Sequence, residues 1–301
     1  MSRSACLIFN PVAGQTDSKS DLEKIKMLLS SEIDLDVRLT TPEINGDRLA
    51  REAIQRQVES IIVSGGDGTI SAVADAVVGT AIPLGIISRG TANALANALG
   101  ISENLAVACQ TILDGHTRTI DTAKCNGSPM VLLVGIGFEA EAMENVDRQA
   151  KDRFGMLAYV LAGLQQLTNW EEFDAEIETD KGVFNISAAA ITIANAAPKT
   201  SILAHGTAKI VADDGLLDIT IVAPKNNLGS LVAAYDLCQF ALNNEPAQHD
   251  NISYLQSKRV RVSTNPSQKI VADGEIIGTT PIEVECVPQS LIVYVPKKEE
   301  E

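Results

Sequence analysis

The sequence predicts an α/β domain on a doubly wound, mostly parallel sheet, followed by a mainly antiparallel β-sandwich. Three observations predict it. Up to about residue 125, short apolar runs alternate with amphipathic helical patterns, the rhythm of β-α-β units. From residue 126 the rhythm changes to many short β-like segments separated by Asp-Gly, Asn-Pro and Lys-Gly turns, as in a sandwich. The glycine-bearing corners of the first region fall where strands end, which is where open parallel sheets hold ligands.

In the first region the strand-like runs are Ala5–Phe9, Asp36–Leu39, Ser60–Val63 and Ile82–Ile87. Helical faces lie between them: Leu22, Ile25, Leu28 and Leu29, then Leu49, Ala53 and Ile54, then Ile70, Val73, Ala74, Val77 and Val78. The last set follows i, i+3, i+4, i+7, i+8, one buried face of a helix. In the second region a helix is expected from Arg153 to Trp170 and another over 227–242. The β-like segments are 173–179, 183–194, 207–211, 217–222, 258–263, 268–272, 281–286 and 290–295. The boundaries are thus 1–125 and 126–288, with a cleft expected between the domains.

Composition narrows the class. At 301 residues and 45% hydrophobic content, the chain is globular and large enough for two cores. No window reaches the ~18 uninterrupted apolar residues of a membrane span. Met-Ser-Arg-Ser-Ala-Cys runs straight into a strand with no signal-peptide core, so a cytoplasmic location is expected. Five scattered cysteines and three isolated histidines fit neither a disulfide frame nor a zinc site. Lys+Arg 24 against Asp+Glu 39 gives a net charge of −15. Such a surface repels nucleic acid and disfavours purely electrostatic docking on anionic membranes.

Three loops carry the chemistry. Ser64-Gly65-Gly66-Asp67-Gly68-Thr69 follows a strand and opens a helix. Free backbone N–H groups and the positive end of the helix dipole converge there, and glycine lets a phosphate approach. Asp67 is the odd residue, because a carboxylate repels phosphate unless a Mg²⁺ lies between them or it orders a hydrogen-bond network. The string is neither Walker A nor Gly-x-Gly-x-x-Gly, and a plain turn would also use its glycines. Asn10-Pro11-Val12-Ala13-Gly14 and Gly90-Thr91-Ala92-Asn93 lie at two further strand ends. Together the three loops describe one nucleotide-sized pocket.

Asn-Pro-x-x-Gly, Gly-Gly-Asp-Gly-Thr and Gly-Thr-Ala-Asn, in this order and spacing, resemble the diacylglycerol kinase catalytic domain, and in particular the soluble bacterial lipid kinases. Ala212-Asp213-Asp214-Gly215-Leu216-Leu217-Asp218 and Asp273-Gly274-Glu275 extend the match to nearly the whole chain. The resemblance implies transfer of the γ-phosphoryl of ATP to a lipid hydroxyl at a membrane surface, by peripheral contact. It also implies that the final segment, 289–301, returns to the nucleotide-binding domain. ATP contacts carry over to Gly65, Gly66, Asp67, Gly68, Thr69 and Thr91, with Asn93 on the same loop. Asn10 would lie near the adenine or phosphates. Thr40 takes the position of a threonine ending the second strand, with Thr41 beside it as the alternative.

Glu275 carries over as general base, with Asp67 and Asp273 in the catalytic network. A positioned carboxylate suits removal of the acceptor proton, although Asp-Gly is also a common hairpin signal. A structural Mg²⁺ is implied on the side chain of Asp214 and the carbonyls of Val211 and Leu216. One departure stands out. The family usually has Asn-Asp where this chain has Asn93-Ala94, so a carboxylate is missing, and the network rests on Asp67, Asp121 and Asp273 or is weakened. Arg89 adds a cation that could take over phosphate contact. Gly135–Glu139 and the face Leu157, Val160, Leu161 and Leu164 are expected to border the acceptor cleft or to be core. NAD kinase, sphingosine kinase and a nucleotide-binding regulatory protein stay open as rivals, as do the acceptor lipid and a homodimer.

Overall fold

The computed structural model describes residues 3–14, 17–137, 172–198, 201, 204, 210–223 and 252–297. The chain forms two compact units, Met1–Ile120 with Gln289–Glu301, and Asp121–Pro288. The first is α/β with a mostly parallel sheet and the second is an antiparallel sandwich.

The first unit runs β1 (Arg3–Phe9), α1 (Ser18–Leu29), β2 (Ile33–Leu39), α2 (Gly46–Gln55), β3 (Ser60–Gly65), α3 (Asp67–Val77), β4 (Leu84–Ser88), α4 (Ala94–Ala98) and α5 (Leu105–Asp114). The strand order is β2-β1-β3-β4, all parallel. Every residue of β3 and β4 is buried, as near-continuous apolar runs in a parallel sheet require. Helices α1 and α5 pack on each other, and so do α2 and α3. Buried Ile70, Val73, Ala74 and Val77 of α3 are the periodic face read from the sequence. Three helices start on side-chain caps: Asp17 accepts from Lys19 N–H, Asn45 from Arg48 N–H, and Asn104 from Ala106 and Val107 N–H. Each cap satisfies donors that the helix itself leaves open. The order 2-1-3-4 reverses between β1 and β3, so the crevice for a ligand opens at the carboxyl ends of those two strands.

The second unit begins within β5 (Thr117–Cys125). It continues with β6 (Ser128–Met130), β7 (Leu133–Gly137), β8 (Phe173–Thr179), β9 (Gly182–Ala188), β10 (Ala190–Ala194), β11 (Leu217–Val222), β12 (Ile252–Ser257), β13 (Arg259–Asn265), β14 (Lys269–Ala272), β15 (Glu275–Thr279) and β16 (Ile282–Tyr294). One sheet contains β16-β13-β8-β9 and the other β12-β11-β10-β7-β14-β15. Ile177, Val260, Val262 and Val284 from the first share one core with Ile136, Ile191, Ile193, Ile219 and Ile270 from the second.

Several boundaries differ from the sequence expectation. The run 183–194 divides at Ala189, because β9 pairs with β8 whereas β10 pairs with β7 and β11. The chain changes sheets there within Ala188-Ala189-Ala190, which contains no glycine or proline to mark the switch. Conversely, 281–286 and 290–295 form the single strand β16, carried past Pro288 with Gln289 at φ 50°. Its last residues belong to the first unit, where Val293 pairs in parallel with Leu84. Of 207–211, the described residues 210 and 211 are not strand. The expected helices at 153–170 and 227–242, and the face Leu157–Leu164, lie outside the described residues. Among the described residues, Cys6, Cys109, Cys125 and Cys286 are buried and free. Burial pushes Cys109 and Cys125 up to about 11 and Cys286 up to about 12. No helix among the described residues is long and apolar enough to cross a membrane.

Candidate functional site

The loops after β1, β3 and β4 are joined by hydrogen bonds at the switch point. Asn10 continues β1 by donating its N–H to Ser64 O (2.9 Å). Its side chain donates through Nδ2 to Thr69 Oγ1 (2.8 Å) and accepts from Val12 N–H (3.1 Å). Thr40 donates its N–H to Phe9 O (2.9 Å), while Thr41 closes a turn with Ile44 and accepts from Glu43 and Ile44 N–H. Gly66 is the N-cap of α3 and has no side chain to offer, so the first N–H groups of α3 have no capping side chain. That is the arrangement an incoming anion completes. A Cβ on Gly65 would lie 2.9 Å from Thr69 Cβ, whereas one on Gly68 would meet nothing within 4 Å. Gly65 is therefore required by packing, and Gly68 leaves open space in front of the helix.

Asp67 joins two of these loops. Its Oδ2 accepts from Asn93 N–H (3.1 Å) and its Oδ1 from Ala94 N–H (2.6 Å). Asn93 is held at φ 48°, ψ 41°, a left-handed conformation that Asn tolerates better than most residues. Its Oδ1 accepts from Gly90 N–H (2.9 Å). Thr91 at the loop's tip is exposed. Asn97 Nδ2 donates to Ala92 O (2.8 Å) and Glu103 Oε1 (3.0 Å).

Arg89 is not a free phosphate ligand. Its side chain is 4% exposed, with Nε on Asp21 Oδ2 (3.0 Å) and Nη1 on Asn10 O (3.0 Å). The guanidinium carbon lies 4.4 Å from the centre of the Phe9 ring, a cation–π distance. The residue fastens the β1–α1 loop from beneath. Sequence reasoning missed this because Asp21 lies 68 positions away.

In the second unit, Asp273 and Gly274 form a two-residue hairpin turn between β14 and β15, with φ of 46° and 87° and Ala272 opposite Glu275. Positive φ at both positions is the type I′ signature, so the Asp-Gly hairpin reading holds. The Asp273 carboxylate accepts from Val131 N–H (2.8 Å), Leu132 N–H (3.0 Å) and Leu133 N–H (3.0 Å). Burial raises its pKa against the lowering effect of those three donors. Glu275 follows at the start of β15, exposed, with no side-chain hydrogen bond or salt bridge among the described residues.

The acidic loop at 213–218 folds around its own backbone. Asp214 Oδ1 accepts from Leu216 N–H (3.0 Å), and its Oδ2 accepts from Gln256 Nε2 (3.3 Å). Asp121, deeply buried, accepts from Gly215 N–H (2.7 Å). Asp218 is 1% exposed and accepts through Oδ1 from Tyr254 OH and from Gln256 Nε2 (3.1 Å), while its Oδ2 is buried with no partner among the described residues. Burial pushes Asp218 up to about 6, with the charge of Asp214 adding to the shift. Among the described residues no three His, Cys, Asp or Glu side chains converge on one point. A cation at Val211, Asp214 and Leu216 would thus rest on one carboxylate, two carbonyls and water. The all-oxygen donors and the orphaned Asp218 oxygen nearby fit a hard cation.

Comparison with known proteins completes the assignment. The diacylglycerol kinase catalytic domain matches residues 4–125, and the YegS C-terminal NAD kinase beta sandwich-like domain matches residues 132–295. The diacylglycerol kinase of Bacillus subtilis is 30% identical over 303 residues, covering 99% of this chain and 98% of the relative. The chain belongs to the diacylglycerol kinase family. Within this lipid kinase family, an uncharacterised Synechocystis protein is 48% identical over 301 residues, 96% of this chain and 70% of that one. The crystal structure of a candidate diacylglycerol kinase from Bacillus anthracis superposes with a TM-score of 0.82 at 27% identity, covering 98% and 97% of the two chains. The architecture of α/β unit plus antiparallel sandwich is thus the diacylglycerol kinase one.

Proposed function

We propose that this chain is an ATP-dependent lipid kinase that transfers the γ-phosphoryl of ATP to a hydroxyl of diacylglycerol or a related lipid. The observation that carries this reading is the joining of the Asn10, Gly65–Thr69 and Gly90–Ala94 loops at the β1/β3 switch point of a diacylglycerol kinase-family sheet. The uncapped start of α3 receives phosphate, with Gly68 leaving room for it. Thr40, Thr69, Thr91 and Asn93 supply polar groups around the nucleotide.

The acceptor hydroxyl oxygen forms the new P–O bond as the bond to the ADP oxygen breaks, and Glu275 takes the hydroxyl proton. An exposed carboxylate at the start of a strand suits that task. Asp273 serves it indirectly, by fixing the turn from which β15 starts. Bound Mg²⁺ would offset the negative charge of the phosphates, and a second cation on Val211, Asp214 and Leu216 would brace the acidic loop. The lipid is met at a membrane surface by peripheral contact in the cytoplasm, without tight electrostatic docking given the charge of −15.

Incubation with radiolabelled ATP and a total lipid extract, resolved by chromatography, tests the proposal. A labelled lipid that depends on active enzyme is expected. A second reading is favoured by Ala94: a nucleotide-binding regulator would bind ATP in the same assay and label nothing. NAD and sphingoid bases as acceptors separate the other kinases of the superfamily.

A further inference from the structure

We infer that Asp67 is a positioning residue, which acts on the nucleotide through the backbone of the Gly90–Ala94 loop and not as a ligand of a metal ion. This rests on the nucleotide-site reading above. Both carboxylate oxygens face amides of that loop, Oδ2 toward Asn93 N–H and Oδ1 toward Ala94 N–H. These amides are at the start of α4, whose N-cap Asn93 makes no side-chain cap of its own. The Asn93 side chain is turned back on Gly90 N–H instead. The helix start is therefore capped by a carboxylate from 26 and 27 positions earlier in the chain, which does for α4 what a local Asp or Ser does elsewhere.

Packing at the junction is tight enough for this link to set loop position. A Cβ on Gly90 would stand 2.9 Å from Gly66 Cα, 3.1 Å from Asn93 Oδ1 and 3.2 Å from Asp67 Oδ2. Arg89 N–H donates to Gly65 O at 2.7 Å, one step before the contact. The two loops thus touch backbone to backbone, and Asp67 fastens them just beyond the point of contact. Across residues 64–69 and 88–94 Asp67 is the sole carboxylate, since residue 94 is alanine.

Nucleotide affinity measured with Mg²⁺ and again with EDTA separates the two roles. In Asp67→Asn the amide presents an NH₂ to one of the two N–H donors, leaving that donor unsatisfied. ATP affinity should fall about tenfold in both buffers, and the Ala94 amide should lose its protection from hydrogen exchange. A loss seen only with Mg²⁺ would make Asp67 a metal ligand and overturn the inference, as would no loss in either buffer. Gly90→Ala disturbs the same junction without touching the carboxylate, and should give a similar loss that ignores Mg²⁺. The double variant should lose no more than the worse single one; additive losses would also overturn the inference. If the wild-type chain binds no ATP in either buffer, the nucleotide reading fails and this inference with it, a result distinct from those of the variants.

Discussion

The Arg89 guanidinium lies beneath the β1–α1 loop with its Nε 3.0 Å from Asp21 Oδ2. Arg89 belongs to the loop after β4 and Asp21 to the first turn of α1, so the ion pair ties the end of β4 to the helix that follows β1. One guanidinium nitrogen, Nη2, is buried without a partner among the described residues. Because the pair is largely dry, removing one member leaves the other charged without its ion-pair partner. Arg89→Met should lower unfolding free energy by about 3 kcal/mol, and Arg89→Met with Asp21→Asn should recover part of it. Urea denaturation of the three variants measures this.

Glu275→Gln should cut turnover by roughly 10²–10⁴-fold while leaving ATP affinity within a factor of about two of wild type, within the ~0.4 kcal/mol that this represents. The side chain is exposed and has no hydrogen bond or ion pair among the described residues, so the substitution should not alter the melting temperature. Near-normal turnover would remove Glu275 from the role of base.

Asp273→Ala removes three hydrogen bonds at once and leaves the N–H groups of Val131, Leu132 and Leu133 without their acceptor. A loss of about 3 kcal/mol is expected. Hydrogen exchange should quicken at those three amides before it does in the β8–β13 ladder. If only turnover falls and exchange is unchanged, Asp273 acts on the reaction directly.

Asp218 gives a pH dependence with a definite sign. Its folded pKa, about 6, lies above the ordinary 3.8, so between those values the folded chain binds more protons than the unfolded one. Stability from this group is then present at low pH and falls as pH rises toward 6. In metal-free buffer the wild type should gain about 1 kcal/mol on Asp218→Asn between pH 7 and pH 5. A constant gap across that range would count against the shift.

The first unit was the more legible half because its signals are local. Ile70, Val73, Ala74 and Val77 repeat with helical period, and glycines lie in the loops after β1, β3 and β4, so elements and loops could be read from short windows. In the sandwich, the sheet change at Ala189 leaves no local mark. The β15 strand was missed because every residue of it is exposed, so it lacks the apolar alternation of a half-buried strand. At the site, residue types were readable but partners were not. Nothing near Asp67 in sequence shows that its carboxylate faces the amides of residues 93 and 94. Likewise, Asp273 reads as a turn residue until the amides of 131–133 are seen above it. Asp218, Tyr254 and Gln256 meet only because β11 and β12 pair.

The strand beside β4 is supplied by the end of the chain: Val293 pairs with Leu84, Gly79 N–H donates to Ser290 O, and Val295 N–H donates to His116 O. On the ribosome, then, the first 120 residues emerge with the β4 edge bare and stay so until some 170 further residues have been made. An open parallel edge is prone to pair with other chains, and closing so long a loop is slow. The unit that is translated first is therefore the one whose final strand is made last, and a ribosome stalled before Gln289 would display it incomplete.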